Sequence, residues 1–545
     1  MHEVNYKNPP AWVHGNPYLA ALEDRFFSDR RLVDWSTLPL RVERLFYSVE
    51  SGYRSPTEAM GLARELRALV HDGAFFPNSP VMMNSEQADR GNFFACYVLS
   101  APLDVDKFAI AKSIHDGCGG IGYDLSDTLD PVALTDAIEQ ETCALNPARK
   151  RKAHSAVTLS IGHPLCSSFI SLGDRLSATH TNVEVSDEFL QAVEAGDRSA
   201  RSLWQTLCAS IHTTGKPAIA FESHKARRSP NGERLILNLC GESPLRENES
   251  ALVGTLNLAR FIAGDLFEED DFVRAVHLAV LCLDNLHELQ EHASLVIAQR
   301  SGQSRKIGVG IMGYADALLL LGIRYGSDDA LGFGQRVMGL LRDTAYEASE
   351  KRARERGACD PALQGDDGRP PRRNASLLAI AANGTLSLLA NTTGGIEPIF
   401  GLLVRQSIET SGAVYQLQPT LSRLLSDHGV DATDIDIVTT LIAAGVPATE
   451  IAVIPEPLRR ALVTAHELSV DEHIRTQSTF QAFLDGAISK TINLPCTSTE
   501  QDVSKAILSA WAQGCVGISL YRNGSVSGQP TQVAQTSRHP IAAVL

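Results

Sequence analysis

Hydrophobic residues follow two periods along this chain. Near the N-terminus they recur at helical spacing: Ser55-Pro56-Thr57-Glu58 leads into Ala59 through Val70, and Gly73 follows as a stop, so residues 1–75 are expected to form a helical region. Beyond it, strand-like runs alternate with amphipathic helices. Ser186 can cap a helix whose Phe189, Leu190 and Val193 share a face. Near the end, Thr497-Ser498-Thr499-Glu500 reads as a capping box, Val503, Ile507 and Trp511 fall one turn apart, Gly514 stops the helix, and Val516 to Tyr521 reads as a buried strand. Helix-then-strand alternation predicts an α/β fold with parallel strands and crossover helices. Gly357 to Arg373, rich in Gly, Pro and charge, is expected to be an exposed loop, and residues 526–545 a flexible tail.

Composition narrows the class. A length of 545 residues fits several ordinary domains or one large α/β barrel. With 44% apolar residues and 21% charged ones, the chain can bury a core and is expected to be soluble. The formal charge of −15 works against a nucleic-acid polymer or an anionic membrane as partner, because both need clustered Lys and Arg; a single nucleotide remains compatible. Ten cysteines are scattered from Cys96 to Cys515 with no CxxC pair and no metal-like cluster. Met1 to Lys7 lacks the regions of a signal peptide, and no uncharged apolar run reaches roughly 18 residues. Reduced cysteines in a cytoplasmic protein without a metal site of its own are therefore expected.

Four motifs could carry chemistry. Gly308-Val309-Gly310-Ile311-Met312-Gly313 matches a dinucleotide turn, but no acidic residue closes a second strand about 20 residues on, so close strand-to-helix packing is the better account. Gly117-Cys118-Gly119-Gly120-Ile121-Gly122 lacks the Lys of a phosphate loop; its glycines require backbone to approach either other backbone or a ligand. Ala382-Asn383-Gly384-Thr385-Leu386-Ser387 could open a helix whose free amides and hydroxyls bind an anion, or be an ordinary cap. Asn238-Leu239-Cys240-Gly241-Glu242-Ser243-Pro244-Leu245 follows the apolar run Leu235-Ile236-Leu237. If extended, it would place amide, thiol and carboxylate on one face.

In combination these segments resemble the catalytic subunit of ribonucleotide reductases, most closely the adenosylcobalamin-dependent class II enzymes. The likeness is collinear. Phe76 to Asn84 resembles PNSPTLMN, Ala95 to Leu99 resembles ACFVL, Gly117 to Ser126 resembles GGGTGYDFS, and Asn238 to Leu245 resembles NPCGEIPL. Arg305 to Gly322, Arg373 to Ser387, Gly394 to Phe400, Ser489 to Pro495 and Gly514 to Ser525 continue the series. The resemblance implies a ten-stranded α/β barrel over residues 76–525, built from two parallel five-stranded halves around a finger loop.

It also implies roles. Cys240 would be the thiyl radical that abstracts the ribose 3′ hydrogen, Glu242 the base on the 3′ hydroxyl, Asn238 a hydrogen-bonding partner of the substrate, and Cys96 the acid that protonates the departing 2′ hydroxyl. Ser79, Ala95, Gly119, Gly120 and the turn bearing Asn383, Gly384, Thr385 and Ser387 would hold the substrate. Arg522 follows Tyr521, so the tyrosine pair that relays a radical from a second subunit in class I is missing, and adenosylcobalamin, with its cobalt, is the implied cofactor.

The chain departs from the family where reduction is completed. Ala251 stands where a second redox cysteine belongs, and no cysteine follows Cys515 to form a C-terminal shuttle. Deoxygenation consumes two electrons, which Cys96 alone cannot supply through an internal disulfide. The implied product is a 2′-deoxyribonucleotide, with an external thiol or thioredoxin-like protein, or Cys118, completing the redox pair. The alternatives are a redox-neutral radical reaction (epimerisation, dehydration or rearrangement) and a non-catalytic nucleotide-binding paralogue, against which the intact Asn238, Cys240 and Glu242 speak. An ATP-binding regulatory domain is not expected. The segment from Leu103 to His115 is shorter than the family's effector-site and dimer helix, which leaves a monomer or a homodimer open.

Overall fold

The structure is a computed structural model and describes residues 10, 12–13, 16–27, 34–86, 90–101, 104–146, 151–364, 368–408 and 412–525. The predicted tail, residues 526–545, lies outside the described residues. Three helices, Leu19–Phe26, Thr37–Glu50 and Pro56–His71, precede the sheet. The third begins as its sequence requires: Ser55 accepts from the Glu58 amide while the Glu58 carboxylate returns to the Ser55 amide.

The first half of the sheet contains β2 (Cys96–Leu99), β3 (Gly120–Asp124), β4 (Ser155–Ser160), β5 (Thr179–Val185) and β6 (Ala218–Phe221), all parallel and adjacent in chain order. The second half contains β7 (Ser250–Asn257), β8 (Ile307–Met312), β9 (Thr491–Leu494) and β10 (Gly517–Arg522). Strands β7 and β8 run parallel, as do β9 and β10, and the two halves meet antiparallel where β2 borders β7 and β6 borders β10. A short strand, β1 (Phe75–Pro77), adds antiparallel to β7.

The ring closes through residues 376–380. Val309 bridges Leu378 and Ile380 bridges Ile488, both in parallel sense, with amide bonds from Val309 to Leu377 (2.7 Å), Ile380 to Ala487 (3.1 Å) and Ser489 to Ile380 (2.9 Å). This segment is the fifth strand of the second half, so the expected two-half, ten-stranded α/β barrel is what the chain builds. Gly308 and Gly310 belong to this closure: a β-carbon on Gly310 would lie 2.3 Å from the Ala379 carbonyl. The GxGxxG pattern is therefore a strand packed on a strand.

Two local expectations need correction. The last helix, Glu500–Ala512, is capped by Thr499 with Asp502 as the returning carboxylate, two positions later than Thr497 and Glu500, because Thr499 is the residue with extended backbone at the helix start. The 357–373 segment is not simply exposed: Cys359, Leu363 and Arg372 are buried, and Arg372 lies over the Tyr346 ring at 4.6 Å.

Candidate active site

Inside the barrel, Ile236–Leu237 pairs antiparallel with Pro244–Leu245, and the six residues between them form a finger. Glycines make room for it. A β-carbon on Gly122 would sit 2.0 Å from the Leu237 carbonyl, and one on Gly120 would sit 2.5 Å from Leu239. On the opposite wall, Gly486 approaches the Glu242 carbonyl, which accepts from the Ala487 amide at 2.7 Å. The glycine cluster thus serves the crossing of finger and sheet. Replacing Gly122 by alanine is expected to displace the finger by about 1 Å and to lower turnover roughly 100-fold, since misplacement of that size costs on that order. Steady-state kinetics against a thermal-melting control checks this.

The finger is not extended, as its sequence suggested. The Gly241 amide donates to the Asn238 carbonyl (3.1 Å), Gly241 has φ +80°, and the Ser243 amide donates to Asn238 Oδ1 (3.0 Å). This turn divides the three groups. Cys240 is turned into a cavity, while Asn238 and Glu242 are buried behind it with 1% and 2% of their surface exposed.

Cys96 Sγ donates to Glu242 Oε1 at 3.4 Å, and Glu242 Oε2 is buried with no partner among the described residues. Burial raises the Glu242 pKa, partly offset by bonds from its own backbone, Asn238 and Cys96. Enclosure by the barrel, then the Glu242 charge, raises the Cys240 thiol pKa, although the side chain itself opens onto the cavity. Burial, Glu242 and Cys240 together push Cys96 well above the ordinary thiol range. Both sulfurs are therefore held as S–H near neutral pH, the form from which a hydrogen atom can be taken. Behind Cys240 lies a buried carboxylate with one oxygen unpartnered among the described residues.

The cavity is about 990 Å³. Arg151, which lines it, donates to Ser79 Oγ at 3.2 Å. Of the 383–387 turn, Gly384 and Thr385 reach the cavity; Asn383 instead donates to Thr255 (3.1 Å), and Ser387 bonds back to the Gly384 carbonyl (3.2 Å). Ala95 and Gly119 do not line it: the Ala95 carbonyl accepts from the Gly120 amide, and Gly119 packs on Tyr97 and Ile114. Cys118, with φ +67°, occupies the turn between helix Val105–Asp116 and β3, away from the cavity wall.

Sequence reasoning gave no role to two wall features. Lys490 pairs with Glu397 (2.9 Å) and donates to His473 Nδ1 (3.2 Å), whose Nε2 faces the Ala465 carbonyl (3.1 Å). Burial and the Lys490 charge lower His473 to about 3, so it is neutral and carries its proton on Nε2. His154 and His180 stand side by side, ring centres 5.8 Å apart, and burial lowers the pKa of both. Glu397 and Lys490 fall in two segments of the family resemblance, Gly394 to Phe400 and Ser489 to Pro495; the histidines carried no sequence signal.

Comparison with known proteins identifies the family and the fold. The family model "Ribonucleotide reductase, barrel domain" matches residues 197–369 and 369–521. The chain is 30% identical over 534 residues to the vitamin B12-dependent ribonucleoside-diphosphate reductase of Mycobacterium tuberculosis, covering 90% of this chain and 76% of that protein. It is 29% identical over 499 residues to the enzyme of the same name from Thermoplasma acidophilum, covering 84% of this chain and 64% of that one. Among solved structures, the class Id ribonucleotide reductase alpha subunit of Actinobacillus ureae superposes with a TM-score of 0.76 at 17% identity, over 95% of this chain and 98% of that one.

Proposed function

The chain belongs to the ribonucleotide reductase family, as a divergent member of its class II catalytic subunits, and from that premise we propose that it reduces a ribonucleotide to the 2′-deoxyribonucleotide by radical chemistry starting at Cys240. One observation carries this reading: a single thiol projects into a cavity with room for a nucleotide, backed by a buried carboxylate with an unpartnered oxygen and a second thiol.

The cofactor named for the relatives fits the residues present. The cavity exceeds what a nucleotide fills, and on its wall His154 Nδ1 and Thr181 Oγ1 are buried polar atoms without hydrogen-bond partners among the described residues. His154, His180, Thr181, Asn182 and Tyr521 would hold the amide-rimmed face of adenosylcobalamin. When bound, the group supplies the one-electron oxidant for the Cys240 thiol.

The protein's own residues do the rest. Cys240 exchanges a hydrogen atom with the ribose 3′ carbon. Glu242 Oε2 accepts the 3′ hydroxyl proton, which helps expel water from the neighbouring carbon. Cys96, on the other side of Glu242, delivers the proton to the leaving hydroxyl. Arg151 with Ser79 and the amides of Gly384 and Thr385 hold the phosphate.

Two outcomes follow. Purified protein with adenosylcobalamin, a ribonucleotide panel and dithiothreitol should yield a deoxynucleotide by mass spectrometry; a product of unchanged mass, or one lacking only water, would replace this reading with a redox-neutral one, which Ala251 favours. The base must be ionised to act, and its pKa is raised, so the acid limb of the kcat/KM profile should lie above the ordinary carboxylate range near pH 4 and move when Glu242→Asp is introduced.

A further inference from the structure

The finger separates two spaces. Leu237, Leu239, Cys240 and Gly241 face the substrate cavity, and Ser243 to Leu245 face a second pocket of about 230 Å³, room for about eight waters. Among the described residues, five cationic side chains line that pocket, Arg227, Arg228, Arg246, Lys306 and Arg372, against one lining acid, Asp485. Asp485 is engaged by the Leu377 and Leu378 amides (2.8 and 3.2 Å), and Glu249 neutralises part of the charge from behind through Arg246 and Lys306 (3.0 Å each). Arg228 Nε is buried and without a hydrogen-bond partner among the described residues. The pocket opens to solvent beside the exposed Arg227 and Pro230 and ends inward at Ala251.

Ala251 is the cross-strand partner of Cys96. Side chains of such a pair lie on one face with β-carbons about 4.5–5.5 Å apart, just beyond the roughly 3.5–4.5 Å that a disulfide spans, so a small shift brings two sulfurs there into bonding range. A sulfur lying against the Ala251 methyl therefore reaches Cys96 Sγ. Among the described residues, no cysteine lines this pocket.

We propose that this pocket is the site of a co-substrate, a small thiol carrying a carboxylate or sulfonate, which supplies the second sulfur that Ala251 lacks. The proposal rests on the reductase reading above. In the first step the ribonucleotide, Cys96–SH and one thiol RSH give the deoxyribonucleotide, water and the mixed disulfide Cys96–S–S–R. Both thiol hydrogens pass to substrate and water as the S–S bond forms. In the second, a further RSH attacks the bound thiol's sulfur, releasing RSSR and restoring Cys96–SH. The arginines draw the anion in and favour the attacking thiolate, while the raised Cys96 pKa returns it to the protonated form.

The test uses the full chain with adenosylcobalamin and a ribonucleotide that it turns over. Initial rates are compared for 2-mercaptoethanesulfonate, 2-mercaptoethanol and cysteamine, which carry negative, neutral and positive heads. The anion should exceed the cation at least about tenfold in kcat/KM, a factor within reach of a charged cleft, and Arg227→Gln with Arg228→Gln should shrink that ratio towards one. Acid quench after one turnover should give the mixed disulfide on Cys96, and in the Ala251→Cys variant an internal disulfide between Cys96 and the introduced thiol should replace it. Deoxynucleotide formed at equal rates with all three thiols, or without a Cys96 adduct, overturns the site and leaves the reductase reading standing. No deoxynucleotide with any thiol overturns both.

Discussion

Changing Cys240 to serine is expected to abolish turnover, lowering kcat by at least about 10⁴-fold, as loss of a nucleophile or radical carrier does when no neighbour can replace it. The physical reason is bond strength. An alcohol O–H is much stronger than the ribose C–H bond, whereas a thiol S–H is similar to it, so serine keeps the size and polarity of the side chain and loses the chemistry. The environment favours the protonated sulfur, with enclosure in the barrel and the Glu242 charge raising its pKa. Its sulfur makes no hydrogen bond among the described residues, so the fold should barely respond, with a stability change within about 0.5 kcal/mol. Cys496→Ser is the matched control, because Cys496 is exposed outside the cavity and should remain active. Product formation by mass spectrometry and thermal melting decide the matter: activity within tenfold of the unaltered protein would remove Cys240 from the mechanism.

How far the site is legible depends on sequence distance. Asn238, Cys240 and Glu242 lie within five positions, so their grouping can be read directly, but their directions cannot. The Asn238 to Gly241 hydrogen bond and the positive φ of Gly241 turn the thiol away from the other two groups, and a period-2 pattern cannot foresee a turn of that kind. The pairing of Cys96 with Ala251 spans more than 150 positions, yet it is visible in the sequence as a missing cysteine because two separate motifs carry it; the register gives it geometry. His473, which Lys490 contacts beside Glu397, has no comparable clue. Residues 376–380 close the barrel through isolated bridges, and a run this short carries no periodic signature.

A buried charge cluster holds that closing strand in place. Asp284 accepts from Arg305 Nε (2.8 Å), Arg352 Nε (3.1 Å) and Asn374 Nδ2 (3.3 Å), while Glu50 on the second N-terminal helix takes Arg352 (2.6 Å), Arg356 (2.9 Å) and Asn285 (2.9 Å). Asp284, Glu50 and Arg352 are each at most 1% exposed. Arg305 lies just before β8, and Asn374 just before the 376–380 strand, so the cluster joins the N-terminal helices to the barrel wall against which the finger rests. Burial alone would raise the Asp284 pKa, but Arg305, Arg352 and Arg373 outweigh it and hold it well below the usual carboxylate range.

Asp284→Asn keeps the volume and removes one of the two fully buried carboxylates that balance these guanidiniums, Glu50 being the other. It should destabilise the protein by about 3–5 kcal/mol, the usual cost of orphaning a buried charge, read as a lower denaturant midpoint. Adding Arg305→Met should recover part of the loss, because Asp284 is the carboxylate nearest Arg305, at 2.7 Å against 3.9 Å to Glu288, so its charge is the one left least compensated. The pH dependence follows from the sign of the shift. A carboxylate whose folded pKa is depressed contributes stability that is present above its unfolded pKa, near 4, and is lost as pH falls below it. The gap between unaltered protein and variant should therefore be full above about pH 5 and narrow progressively on acidification. A gap independent of pH would mean that Asp284 acts through shape and hydrogen bonding rather than through its charge.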